Sequence, residues 1–186
     1  MEFAVARPDV VRSISQRWLL KFWKRHRSSN DGVPPWQAVE AENLSRIAEN
    51  LSFLEVTGDG AMKRFLIRQH GSGVAKVYGS DCRGRYLDDV IPRERHPTGL
   101  MPYYRVFSTA TPVYTICDVK DKDGRLIMFE RLMLPFSNSG SAVDRIISAF
   151  EFICEDGSFD TSALVKLQQG ATTLRLCAMI EAQSAV

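Results

Sequence analysis

His70-Gly71-Ser72-Gly73 and the following Lys76 bring an imidazole, a hydroxyl, two glycines and an ammonium into one short segment, the makings of a catalytic or phosphate-holding turn. Their spacing supports neither. A nucleophile turn exposes its serine through Gly-x-Ser-x-Gly, which is missing here. A phosphate loop needs Gly-Lys-Ser/Thr and a dinucleotide turn needs a third glycine, and Gly71-x-Gly73 has neither. The simpler reading is a turn. The three histidines, His26, His70 and His96, contain no i, i+4 pair that would set two imidazoles on one helix face as metal ligands. The four cysteines, Cys82, Cys117, Cys154 and Cys177, lie far apart with no Cys-x-x-Cys pair, so they read as reduced, packed thiols and as neither a zinc site nor a redox couple. Arg68 and Glu130, expected on neighbouring strands, read as a structural ion pair before an acid/base pair. No catalytic residue and no metal ligand is assigned, and the cofactor is left unknown.

Composition narrows the class. Of the 186 residues 45% are hydrophobic and 25% charged, ordinary for a soluble globular protein, and the net charge of +2 argues against a nucleic-acid partner. Arg7, Asp9 and Arg12 interrupt any signal-peptide core, and no run approaches the roughly 20 apolar residues of a membrane helix. The expected location is the cytoplasm, with no integral membrane segment.

The elements that must position these residues follow from periodicity. Val11 to Arg25 reads as an amphipathic helix, with Val11, Ile14, Trp18 and Phe22 on one stripe, widened by Leu19 and Trp23. Such a stripe has to be buried, on its own domain, on a second copy or on a membrane surface; Ile14, Trp18, Phe22 and Trp23 are the candidate interface residues. Ser28 to Pro35 is a connection. Glu40 to Leu51 resumes helical spacing. Phe53 to Val56 and Met62 to Ile67 flank Asp59-Gly60, a hairpin signal. Val74, Val77 and Tyr78 predict a short helix ended by Gly79, and a second turn starts near Arg85. Ile91 to Gly99 reads as a loop, and Leu100 to Ser108 as a helix with Tyr103, Tyr104 and Phe107 on one side. Thr111 to Val119 alternates, with Val113, Thr115, Cys117 and Val119 on one face and Tyr114, Ile116 and Asp118 on the other. Arg125 to Phe136 is a central, buried strand, with Pro135 expected to end its ladder or sit at a bulge. Val143 to Cys154 fits helix and strand alike; its β-branched and aromatic residues favour strand. Leu164 to Gln168 and Leu174 to Ile180 read as short helical pieces.

The run Gly79-x-Asp81-x-x-Gly84-x-x-Leu87, preceded by the strand Met62 to Ile67 and the turn at Gly71, resembles the first half of a PAS domain of a bacterial family. Glu130-Arg131-Leu132-Met133-Leu134-Pro135-Phe136-Ser137 and Val143-Asp144-Arg145-Ile146 resemble that family's closing strands, with Val143 to Cys154 as the last strand. The resemblance implies an α+β, PAS-like fold: an antiparallel five-stranded sheet flanked by short helices, behind an N-terminal amphipathic helix. The expected division is residues 1–35 for that helix and its linker, 36–155 for the PAS-like domain and 156–186 for a C-terminal extension. It also implies a cavity beside the Leu100 to Ser108 helix. Its candidate lining is Phe65, Ile67, Val74, Tyr78, Leu87, Tyr103, Tyr104, Phe107, Ile116 and Met133. Either a small hydrophobic or aromatic ligand enters it, or its own large side chains fill it.

The functional expectation is a non-catalytic sensor or adaptor in bacterial signalling. It binds a small ligand, a signalling protein partner or both, and forms a homodimer through the N-terminal helix. Three alternatives stand beside it: a haem sensor ligated by His96, a small-molecule enzyme using the cavity, and a peripheral membrane-associated regulator using the N-terminal helix. Flavin attachment at Cys82 is disfavoured because the Asn-Cys-Arg-Phe-Leu run of light-sensing PAS domains is missing.

Overall fold

Leu126 to Phe136 is a long apolar run, and in the computed structural model it forms the strand on which the rest is built. The structure describes residues 2–27, 32–59, 62–120, 124–140, 142–154 and 172–181. In chain order the strands are β1 (Ala4–Ala6), β2 (Leu51–Thr57), β3 (Arg64–His70), β4 (Val113–Lys120), β5 (Leu126–Phe136), β6 (Arg145–Cys154) and β7 (Thr173–Ile180). The helices are α1 (Ile14–His26), α2 (Trp36–Ala41), α3 (Ser72–Tyr78), α4 (Leu87–Val90), α5 (His96–Gly99) and α6 (Met101–Thr109).

The strands form one sheet in the order β1-β7-β4-β5-β6-β2-β3, with β5 in the middle. Neighbours are antiparallel except β1 and β7, which run parallel. The sheet is therefore mixed and seven-stranded, not antiparallel and five-stranded. Both added strands come from segments expected to flank the domain. β1 is too short to leave a periodic signal. The expected helix at Leu174 to Ile180 is strand β7: its burial alternates along the first half, and the open edge of β4 needs a partner for its backbone groups. Leu164 to Gln168 lies outside the described residues.

Two further expectations give way to local chemistry. Glu40 to Leu51 is not one helix. α2 stops at Ala41, the Asn43 side chain accepts the Ser45 N–H at 3.1 Å in place of helical bonding, and only a 3-10 turn at Ala48–Asn50 precedes β2. Ile91 to Gly99 is not a bare loop, since it holds a 3-10 turn, Arg93–Arg95, and α5. Val143 to Cys154 does supply a strand, although β7 follows it. At Pro135 the ladder is one-sided: pairing with β4 ends at Met133, while pairing with β6 runs on to Phe136.

Alternation along β5 separates two cores. Leu132, Leu134 and Phe136 meet Leu19, Leu20, Phe22 and Trp23 of α1 on one face; Met133 meets Phe65, Ile67, Leu87, Tyr103 and Val106 on the other. Ser13 caps α1, its hydroxyl accepting the Gln16 N–H at 3.4 Å, so the helix begins at Ile14 rather than Val11. Gln16 is fully buried and its amide donates to the carbonyls of Ala149 at 3.0 Å and Glu130 at 3.4 Å. Trp23 donates from Nε1 to the Pro135 carbonyl at 2.6 Å, a carbonyl next to the end of the β4 ladder.

These contacts change the reading of the candidate interface. Phe22 and Trp23 are 2% and 1% exposed and belong to the chain's own core, whereas Ile14 and Trp18 are 80% and 42% exposed. Trp23→Phe, which removes the indole N–H and leaves the Pro135 carbonyl unpaired, is expected to cost about 1–3 kcal/mol, and Trp23→Ala about 3–5 kcal/mol. Urea unfolding followed by far-UV circular dichroism measures both.

Candidate functional site

The helices α3 to α6 cover the face of the sheet opposite α1. Gly71 starts α3 where the chain passes against the 3-10 turn before β2: a Cβ there would stand 2.3 Å from the Glu49 carbonyl oxygen and 2.4 Å from that of Ala48. Gly79 ends α3 in the left-handed region at φ 73°, as a C-cap requires. Arg64 on β3 binds Asp88 and Asp89 of α4 through contacts of 2.7 to 3.1 Å, and its guanidinium lies over the Tyr86 ring. His70, the last residue of β3, accepts the Cys82 N–H on Nδ1 at 3.1 Å and meets the Tyr78 ring edge-on, tying β3 to the segment after α3.

Two spaces lie between these helices and the sheet among the described residues. The first is a void of about 10 Å³ among Ser52, Leu54, Ile67, His70, Tyr78, Leu87, Tyr103 and Phe150, in effect filled by its own side chains. The second, adjoining it through Tyr78, is a cleft of about 100 Å³. Its walls are Val77 and Tyr78 of α3, Val90 of α4, Ile91, Pro92, Arg95, Thr98 and Gly99 near α5, and Cys117, Val119, Phe129, Arg131 and Phe152 of β4, β5 and β6, with Thr172 at the start of β7.

Of the cavity residues expected from sequence, Tyr78 lines the cleft, and Ile67, Tyr78, Leu87 and Tyr103 line the small void. Phe65, Val74 and Met133 are buried, and Tyr104 and Phe107 are half-buried. Tyr104 donates to the Lys63 carbonyl at 2.9 Å, and Tyr103 accepts from Ser148 at 3.1 Å, so both tips are satisfied within the protein. Ile116 belongs to the opposite face, packed with α1, because it alternates with Cys117. The residues beside the cleft on β4 are Cys117 and Val119.

The cleft's charge comes from arginine. Arg131 is 2% exposed, and its guanidinium donates to the Gly99 carbonyl at 2.9 Å, the Thr98 carbonyl at 3.0 Å and the Thr115 hydroxyl at 3.4 Å, while lying 5.0 Å from the Tyr103 ring centroid. Every one of these partners is formally neutral. Arg95 lines the same cleft; burial lowers its pKa, opposed by Glu94 and Tyr78. Burial raises the pKa of Tyr78 strongly and that of Cys117 as well, although Arg131 pulls both the other way, so phenol and thiol are neutral near pH 7. Cys177 is pushed up to about 11 by burial, which makes it inert as a nucleophile.

The pairing expected between Arg68 and Glu130 does not form, because β3 and β5 are not neighbours. Arg68 binds Glu55 on β2. Glu130 is fully buried on the α1 face and accepts from the Tyr114 hydroxyl at 2.7 Å. His96 heads α5, with Nε2 3.0 Å from the Ile91 carbonyl oxygen. All four cysteines are free and buried. Among the described residues no three His, Cys, Asp or Glu side chains group closely enough to hold a metal ion, and no described helix is long and apolar enough to cross a membrane. Arg131, Arg95 and Phe129 were missed as site residues. Arg131 had a signal, a permanent cation inside a long apolar run, where a charge is expensive.

A mixed sheet with short helices over one face and a cleft between them defines an α+β domain. The PAS domain family model matches residues 11–150, and the chain belongs to that family. No curated protein sequence matches the chain.

His70 carries a pH prediction. Burial lowers its pKa, with Arg83 acting in the same direction and Asp81 against it. A depressed histidine pKa stabilises the fold above the unfolded-state value of about 6.5 and withdraws that contribution as pH falls towards the folded-state value. Protonated Nδ1 also cannot accept the Cys82 N–H. Unfolding free energy is therefore expected to drop between about pH 7 and pH 5.5, with the drop smaller in His70→Ala, as measured by urea titrations at both pH values.

Proposed function

We propose that this chain is a non-catalytic PAS sensor or adaptor that takes a small molecule into the cleft between α3–α5 and the β4–β5–β6 face and passes the change to a protein partner. The observation that carries this reading is the cleft itself. It has apolar walls from Val77, Val90, Ile91, Val119, Phe129 and Phe152 and a few polar groups at one side, the make-up of a small-molecule site. The cleft opens beside α5, whose last carbonyls are tied to the central strand by Arg131, so a ligand there bears directly on the α5–α6 junction.

Native mass spectrometry with an absorption spectrum of freshly purified protein tests this. The expected result is a mass excess corresponding to one small molecule, without a visible chromophore. A Soret band would replace the reading with the haem alternative. A bare chain mass that no small-molecule library shifts would remove the ligand.

Partner binding rests on a different observation. Ile14 and Trp18 on α1 and Ile153 on β6 are exposed large apolar residues around one groove, which also holds Arg12, Arg46 and Glu151. A second copy of the chain is the occupant proposed here, because Ile14 and Trp18 are the part of α1's apolar surface that its own core leaves uncovered. Light scattering is expected to report a dimer, and Trp18→Glu, at an exposed position, is expected to convert it to a monomer that keeps the wild-type far-UV circular dichroism spectrum. A monomer at all concentrations would end the homodimer reading and leave the groove to another protein.

A further inference from the structure

Arg131 is a buried cation whose hydrogen bonds all go to neutral oxygens. Of its roughly five N–H donors, three go to Gly99, Thr98 and Thr115, and the Tyr103 hydroxyl is a further neutral partner. Ionised arginine does not shed its proton in a protein, so the charge persists, and a charge removed from water is normally matched by an opposite one. Among the described residues none supplies it. No described aspartate or glutamate lines the cleft, and Glu130, the neighbour in sequence, points to the other face of the sheet and is bonded to Tyr114. Asp118 pairs with Arg175. The carbonyls of Thr98 and Gly99 offset the charge only in part.

The geometry points to Arg131 as the anchor for a ligand carboxylate, with the ligand's apolar body lying against Val119, Phe129 and Phe152. This rests on the ligand-sensing reading above and narrows it to small monocarboxylates. A carboxylate brings the single negative charge that the single guanidinium lacks, and its two oxygens suit the remaining N–H groups of the fork. A phosphate-type group carries more charge and more acceptors than that fork can serve. The cleft volume of about 100 Å³ is smaller than the roughly 150 Å³ of a cavity that holds benzene, so the body is limited to a short branched chain, or to one ring that stays partly at the open mouth of the cleft. Arg95, on the same wall, strengthens the positive potential felt by an entering anion.

Benzoate, its neutral isostere benzamide and phenylphosphonate are the probes, titrated calorimetrically into the intact wild-type chain. Benzoate is expected to bind at least about tenfold more tightly than benzamide and than phenylphosphonate. Val119→Phe, which fills the cleft, is expected to abolish binding. Arg131→Met is expected to erase the preference for benzoate over benzamide, and Arg131→Lys to retain part of it. If Arg131→Met fails to fold, because the Thr98 and Gly99 carbonyls lose their donors, the wild-type comparison still decides. Equal binding of benzoate and benzamide would overturn the carboxylate assignment and leave the ligand cleft standing. Preference for phenylphosphonate would overturn it in favour of a more highly charged anion. Binding of none of the three would overturn the assignment and count against the cleft as a ligand site. Benzoate binding unchanged in Val119→Phe would place the anion elsewhere and also overturn it.

Discussion

A strand buried on both faces has no side on which a charge is cheap, and β5 carries two in succession. Glu130 and Arg131 sit at the middle of a seven-stranded sheet, 0% and 2% exposed, and because successive side chains of a strand point to opposite faces they cannot neutralise one another. Each face of the protein is arranged around one of them. On the α1 face Tyr114 supplies a hydrogen bond to Glu130, and Gln16, at the buried side of α1, binds the Glu130 carbonyl. On the other face the chain brings the last carbonyls of α5 down onto the Arg131 guanidinium.

The two faces are packed to different completeness. α1 lays Leu19, Leu20, Phe22 and Trp23 into a groove of leucines and aromatics, and the rings of Phe22 and Trp36 each meet that of Phe136, at 6.4 and 6.0 Å. The helices of the opposite face are short, four to nine residues each, and cannot lay a continuous stripe across the sheet. Where they fall short, between α3, α5 and the β4–β5–β6 strands, the cleft is left. The cleft thus follows from unequal coverage: a long helix closes one side, and a row of short ones leaves a gap on the other.

Much of this was legible in local sequence. Gly79 in a left-handed cap, the β2–β3 hairpin, the face alternation of β4 and the central position of β5 all express preferences within a few residues, and each matches its element in the structure. The resemblance carried by Gly79, Asp81, Gly84 and Leu87 led to the family that residues 11–150 match. The candidate cavity was legible only in outline. Tyr78 lines the cleft, most of the other candidates are core, and Ile116 lies on the opposite face. The alternation that puts Cys117 and Val119 in the cleft was already visible along β4. Which of the two faces would meet the short helices was not, because that depends on which partner covers each face.

The amino-acid sequence by itself determined where the chain is helical or extended through most of residues 14–154, which residues are apolar enough to need covering, and the family. Only the tertiary structure decided the strand order, the enlistment of β1 and β7, and the partners of the charges. Arg68 and Glu130 looked like a pair because both are charged and near strands, yet β6 and β2 stand between their strands. β7 looked helical because leucine, cysteine and alanine tolerate either period, and the unpaired edge of β4, remote in sequence, settled the matter. Arg131 is the sharpest case. Its residue type and its apolar surroundings are written in the chain, but the absence of a nearby carboxylate among the described residues is a property of packing, created when the chain folds the Thr98–Gly99 carbonyls and an apolar cleft around it.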